Sequence, residues 1–198
     1  MAHDCEVLVI GGGHAGCEAA LAAARMGRAT TLVTGRLADI AKAPCNPAMG
    51  GPGKAQLIRE VDALGGEIAR ATDRAMINVR TLNTGKGLAM HALRAVIDRQ
   101  AYQRAMRAVL ERTPNLTLVE GLVEALRWAR GRVTGVTLAD GRKLDAGAVI
   151  VTTGTFLRGK CHRGNTSFDA GREGEPPAVG LSHSLAQAGL TLGRLNTG

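Results

Sequence analysis

Apolar positions open the chain in a compact run, residues 6–10 (EVLVI), whose unbroken β-branched character fits a strand covered on both faces. A glycine cluster, residues 11–16 (GGGHAG), follows at once. Residues 17–26 (CEAALAAARM) then read as a helix, because Ala and Leu are strong helix formers, and Gly27 stops it. A second strand is expected at residues 29–34 (ATTLVT), so strand, turn, helix and strand occupy residues 1–34. Residues 35–53 are rich in Gly and Pro and predict irregular backbone. Leu57, Ile58, Val61, Leu64 and Ile68 keep helical spacing over residues 54–71, with a break possible at Gly65 and Gly66. The longest helical pattern covers residues 88–112. There Leu88, Ala92, Leu93, Val96, Ile97, Ala101, Ala105, Val109 and Leu110 share one face, and Pro114 closes it. A strand at residues 116–119 leads into alternating segments with turn signals at residues 129–131 and at Asp140 and Gly141, a β-meander over residues 117–147. Residues 148–152 (AVIVT) form a further buried strand that ends in Thr153 and Gly154, and one short helix is expected around residues 181–188.

Gly11, Gly13 and Gly16 satisfy G-x-G-x-x-G in the strand–turn–helix–strand context that this motif requires. The first glycine permits the tight turn, the second lets main chain approach a diphosphate, and the third lets the helix pack on the strand. The helix N-terminus then offers N–H donors and partial positive charge. The acidic residue that should end the second strand and hold ribose hydroxyls is absent: that position is Thr34. Arg36 nearby leaves a 2′-phosphorylated nicotinamide cofactor open as an alternative. The meander and the return strand ending at Gly154 favour a flavin, because a β-excursion of this kind follows the first βαβ unit in two-dinucleotide flavoproteins. The expected class is therefore α/β, a Rossmann-like parallel sheet of the two-dinucleotide-binding type with a β-meander, incomplete at its C-terminus. Residues 1–198 are read as one FAD-binding domain.

Composition sharpens this little. Charged residues make up 21% and apolar ones 45% of the 198 residues, the profile of a globular domain. Aromatics at 2% nearly exclude base-stacking platforms, and no apolar run reaches the roughly 18 residues of a membrane helix. The formal charge of +8 suggests a nucleic-acid partner, but 20 Arg against 5 Lys beside 32 Ala is also the skew of a GC-rich genome. Cys5, Cys17, Cys45 and Cys161 form no CxxC pair and no zinc spacing, so no metal site is expected. No export signal precedes them, and reduced thiols in a cytoplasm are expected.

Residues 43–54 (APCNPAMGGPGK) are the least generic stretch, and Cys45 is the only cysteine in such a loop. From these facts alone an inert, packed thiol stands beside a reactive one. Together, GGGHAG at 11–16, PCNPAMGGPGK at 44–54, REVDALGG at 59–66, GKG at 85–87, TTGTFLRGK at 152–160 and GRLNTG at 193–198 resemble the N-terminal part of the tRNA uridine 5-carboxymethylaminomethyl modification enzymes, the MnmG/GidA family. The resemblance implies an FAD-dependent enzyme that acts on the wobble uridine of tRNA. It implies methylenetetrahydrofolate as carbon donor, NADH as reductant of the flavin, a GTPase partner and a homodimer when complete. Carried over by motif, the phosphate turn falls on Gly11, Gly12, Gly13, His14, Ala15 and Gly16, and a backbone contact to adenine falls on Val123. The first functional cysteine falls on Cys45, with Pro44 where the family has Ser. Thr34, Thr153 and Gly154 complete the expected cofactor contacts. Ala178 replaces a family Ser, so a hydroxyl contact to FAD would be lost, while Leu88 and His91 replace a Pro and an Arg, and Asn196 replaces a Lys. These departures bear on tRNA-side or folate-side contacts more than on the flavin. A short relative that binds flavin without modifying tRNA, or a nicotinamide-binding module, remain alternatives, and whether this length is active alone is open.

Overall fold

A computed structural model of the chain describes residues 4–44 and 46–196. It begins with β1 (Cys5–Ile10), α1 (His14–Arg25) and β2 (Thr30–Thr34). After one 3-10 turn come β3 (Ala48–Gly50), α2 (Lys54–Ala63), α3 (Ile68–Ala75), β4 (Met76–Leu82), β5 (Ala92–Ile97) and α4 (Arg99–Arg112). The second half holds β6 (Leu116–Glu120), β7 (Val123–Ala129), β8 (Arg132–Leu138), β9 (Lys143–Val151), β10 (Lys160–Arg163), β11 (Thr166–Asp169) and α5 (Gly180–Gln187).

The main sheet has the order β6-β2-β1-β9-β8-β7. Its centre is parallel, with Val9 opposite both Leu32 and Ile150, while β7, β8 and β9 run as an antiparallel meander. Because side chains alternate across a strand, successive residues of β1 feed opposite cores. Val9 packs with Leu21, Leu32, Ile40, Tyr102, Met106 and Leu110 under α1 and α4. Leu8 and Ile10 pack with Val33, Val123, Val136, Leu138, Leu181 and Leu185 between the meander and α5. The mixed α/β fold with its central parallel sheet is the expected one, and the order of β1, β2 and β9 brings the C-terminal ends of all three strands together.

Two expectations change. Residues 88–112 are not one helix: residues 92–97 are β5, paired antiparallel with β3 and β4, and the helix starts only at Arg99. Asp98 supplies the start, its carboxylate accepting from Gln100 N at 2.8 Å and Ala101 N at 3.0 Å. Cross-strand pairing overrides the helical spacing: β5 lies between β3 and β4, with Ala95 and Ile97 buried on one face. Residues 35–53 are not wholly irregular, because β3 joins the same small sheet. The break at Gly65 and Gly66 is present: α2 ends before it, Gly65 adopts φ 87°, and Glu18 caps the restart by accepting from Glu67 N at 2.9 Å. The β10–β11 hairpin was not foreseen. Among the described residues no helix is long and apolar enough to cross a membrane.

Candidate functional site

The glycine turn connects β1 to α1 and is pinned from both sides. Gly11 N donates to Val33 O at 2.8 Å, and Thr152 Oγ1 donates to Ile10 O at 2.7 Å. Gly11 has φ 105°, and a Cβ there would lie 2.5 Å from Thr152 O. A Cβ on Gly16 would lie 1.8 Å from Gly11 O, so the third glycine is where helix and strand touch. Gly13 is different. It is the N-cap of α1, no side chain caps that helix, and a Cβ added to it would meet nothing within 4 Å. The opening N–H groups of α1 therefore face open space with their partial positive charge uncompensated by any acidic residue in the first turn.

That space is a cleft of about 270 Å³. Gly11, Gly12, Gly13, Thr34, Arg36, Val123, Thr153 and Gly154 all line it. Seven of the ten expected contact residues are thus brought together. The other three are not. Gly16 is buried beneath Gly11, and Ala15 is exposed away from the cleft. His14 turns inward, its Nδ1 3.2 Å from Tyr102 Oη, with the rings edge-to-face at 5.6 Å. Burial, and secondarily the charge of Arg172, push the His14 pKa below the ordinary imidazole value. Burial likewise pushes the Tyr102 phenol up.

Apart from Arg36, sequence reasoning missed the cleft's charged groups. Asp39, five residues past Thr34, lines the cleft, and so does Glu175. Lys42 Nζ bridges them, 3.0 Å from Asp39 Oδ1 and 3.0 Å from Glu175 Oε1. Those two carboxylates, Asp39 first, raise the Lys42 pKa above its ordinary value. Asp39 Oδ2 is buried without a hydrogen-bond partner, although Arg36 Nε lies 3.5 Å away. An acidic residue shortly beyond the second strand was the one available signal. Arg172 also lines the cleft, its guanidinium carbon 5.1 Å from the centre of the Phe156 ring.

Cys45 lies outside the described residues. Cys17 is fully buried in α1, its Sγ 3.5 Å from Gly12 O, and burial pushes its pKa up to about 12. Burial also raises Cys5. Both are the wrong kind of thiol for nucleophilic work, since the reactive form is the thiolate.

Known proteins share this arrangement. The chain is 52% identical over 195 residues to the tRNA uridine 5-carboxymethylaminomethyl modification enzyme MnmG of Syntrophotalea carbinolica, covering 98% of this chain and 32% of that one. The structure matches Aquifex aeolicus GidA with a TM-score of 0.86 at 43% identity, over 92% of this chain and 30% of that one. It matches the GidA-related protein from Thermus thermophilus with a TM-score of 0.66 at 21% identity, over 92% and 67%, a likeness of fold. The chain thus spans about a third of the length of the curated relatives it matches. The family model described as glucose inhibited division protein A matches residues 6–198, and the chain belongs to that family.

Proposed function

We propose that residues 1–198 are the FAD-binding domain of a flavoenzyme that modifies the wobble uridine of tRNA by carboxymethylaminomethyl addition at C5. One observation carries the reading: a side-chain-free glycine turn, pinned between β2 and β9, opens onto a cleft at the uncapped start of α1. The residues fit the cofactor. Main chain of Gly11, Gly12 and Gly13 with the α1 N-terminus would hold the diphosphate. Thr34 and Val123 would meet the adenosine half, and Thr153 and Gly154 the flavin half. Bound FAD would supply two-electron redox chemistry. The chain's own part is to orient it, to exclude water through Val123 and the apolar face behind it, and to hold the glycine turn still.

Cys45 is proposed as the catalytic thiol acting on the flavin-bound carbon or on the uracil ring. NADH as reductant, methylenetetrahydrofolate as carbon donor, a GTPase partner, a homodimer and a cytoplasmic location belong to the same proposal. The 43% identity to GidA against 21% to the shorter GidA-related protein supports the tRNA-modifying reading over a short flavin-binding relative. The NADP reading is weakened by Asp39, whose carboxylate beside Arg36 would repel a 2′-phosphate.

Purified protein should show flavin absorption bands or acquire them on incubation with FAD. A preparation with neither refutes the proposal. In the complete enzyme Cys45→Ala should abolish modification and leave FAD bound; normal modification would remove Cys45 from the mechanism.

A further inference from the structure

The glycine turn offers a diphosphate only main-chain donors, and among the described residues α1 carries no cation in its first turn. A positive side chain does reach the cleft, from the other end of the chain. Arg172 is presented by a tight turn in which Gly171 N donates to Glu175 O at 3.0 Å and Glu175 N donates to Arg172 O at 2.9 Å. Thr155 Oγ1 donates to Gly171 O at 2.8 Å, tying that turn to the loop that follows β9. Gly171 lies flat on Phe156: a Cβ on it would sit 2.1 Å from the ring. The guanidinium in turn stacks over the same ring, and its side chain is 24% exposed. Its nearest carboxylate oxygen, Glu175 Oε2, is 3.8 Å away, beyond hydrogen-bond distance, while the other oxygen of Glu175 is engaged by Lys42. The charge is close enough to His14, the first residue of α1, to disfavour protonation there.

We propose that Arg172 is the cation that neutralises the cofactor's diphosphate, so that the phosphate site has two halves, the main chain of the glycine turn and α1 on one side and the stacked guanidinium on the other. The proposal rests on the flavin reading above. Charge in the cleft agrees with it. Arg36 and Arg172 line the cleft with the two carboxylates of Asp39 and Glu175, and Lys42, which is not itself a lining residue, is occupied by both carboxylates. Arg172 is the cation left with donors to spare next to the start of α1. A guanidinium suits the task because its planar fork can address two phosphate oxygens while its face stays on the ring.

The test compares wild type, Arg172→Met and Arg172→Lys for binding of FAD, ADP and adenosine by calorimetry, with thermal melting as the check on folding. Arg172→Met should weaken FAD and ADP about tenfold to a hundredfold, the value of a charge-assisted hydrogen bond, and leave adenosine unchanged. Arg172→Lys should fall between. ADP binding by Arg172→Met at wild-type strength, or an equal loss for adenosine in a variant that melts normally, overturns the role of Arg172. Wild-type protein that binds ADP but not FAD overturns the flavin reading and leaves the two-part phosphate site standing, and wild type that binds neither overturns both.

Discussion

Replacing Gly16 and Gly13 in turn separates what the glycine motif does for the fold from what it does for a ligand. In Gly16→Ala the new methyl would sit 1.8 Å from Gly11 O and 2.7 Å from Thr152 Oγ1. An ordinary carbon–oxygen contact is about 3.3 Å, so roughly 1.5 Å of retreat is needed. Neither obstacle can give way cheaply. Gly11 O belongs to main chain held by Gly11 N on Val33 O, and Thr152 Oγ1 is committed to Ile10 O. The helix must lift instead, loosening Cys17, Ala20, Leu21 and Ala24 against the sheet. Overpacking of this kind costs about 1–3 kcal/mol, and a main-chain obstacle puts it near about 3. For a chain of this size that lowers the melting temperature by about 6–12 °C. Gly13→Ala meets nothing within 4 Å, and φ −73° with ψ −176° suits alanine. Its fold should lose about 1 kcal/mol at most. Its methyl would stand where main chain is proposed to approach the diphosphate, so FAD affinity should drop about tenfold or more. Melting by circular dichroism and titration with FAD read the two effects separately. A Gly16→Ala variant melting within about 2 °C of wild type, or a Gly13→Ala variant equally destabilised, would refute this division of labour.

Three further outcomes follow from buried groups. Because burial first and Arg172 second lower the His14 pKa, the unfolded chain binds the extra proton more readily, so stability is full above about pH 6.5 and declines as pH falls below it. His14→Gln should flatten that decline when melting is followed from about pH 7.5 to 5.5; an unchanged slope would show that other groups set it. Iodoacetamide should label half-buried Cys161 in the native protein and spare Cys17, whose pKa of about 12 and burial withhold the thiolate, as site-resolved mass spectrometry will show. Glu67 has only 3% of its side chain exposed and joins Arg25 at 2.7 Å to Arg74 at 3.1 Å, so Glu67→Gln should cost about 1–2 kcal/mol in denaturant unfolding, and a neutral result would mean the arginines simply turn to solvent.

The parts of the fold legible in the sequence are those whose cause is local. β1, the glycine turn and α1 declare themselves because strand period, turn glycines and an alanine-rich helix are written consecutively, and parallel pairing of β1 with β2 follows from the crossover. The segment of β5 was misread for a physical reason. Its buried residues Ala92, Ala95 and Ile97 satisfy helical spacing about as well as strand alternation, and the partners that decide the matter, β3 and β4, lie elsewhere. Asp98, a good N-cap inside the supposed helix, was the local clue that the helix begins after it. The site divides in the same way. Thr34, Thr153 and Gly154 could be placed because the first ends β2 and the other two closely follow the end of β9, strands whose neighbours were legible. Asp39, Lys42, Arg172 and Glu175 could not, because what unites them is an ion-pair bridge between two irregular loops. No periodicity records such a bridge, and it exists only once β9 has returned beside β1 and carried the later loops across the mouth of the cleft. The missing acid at Thr34 then has a physical counterpart. A free carboxylate at the strand end would face the cofactor's own negative charge, whereas Asp39 and Glu175 share the one charge of Lys42, and Arg36 and Arg172 offset the negative charge that a single lysine cannot. The cleft therefore keeps its carboxylates without forfeiting the positive potential that an anionic dinucleotide requires.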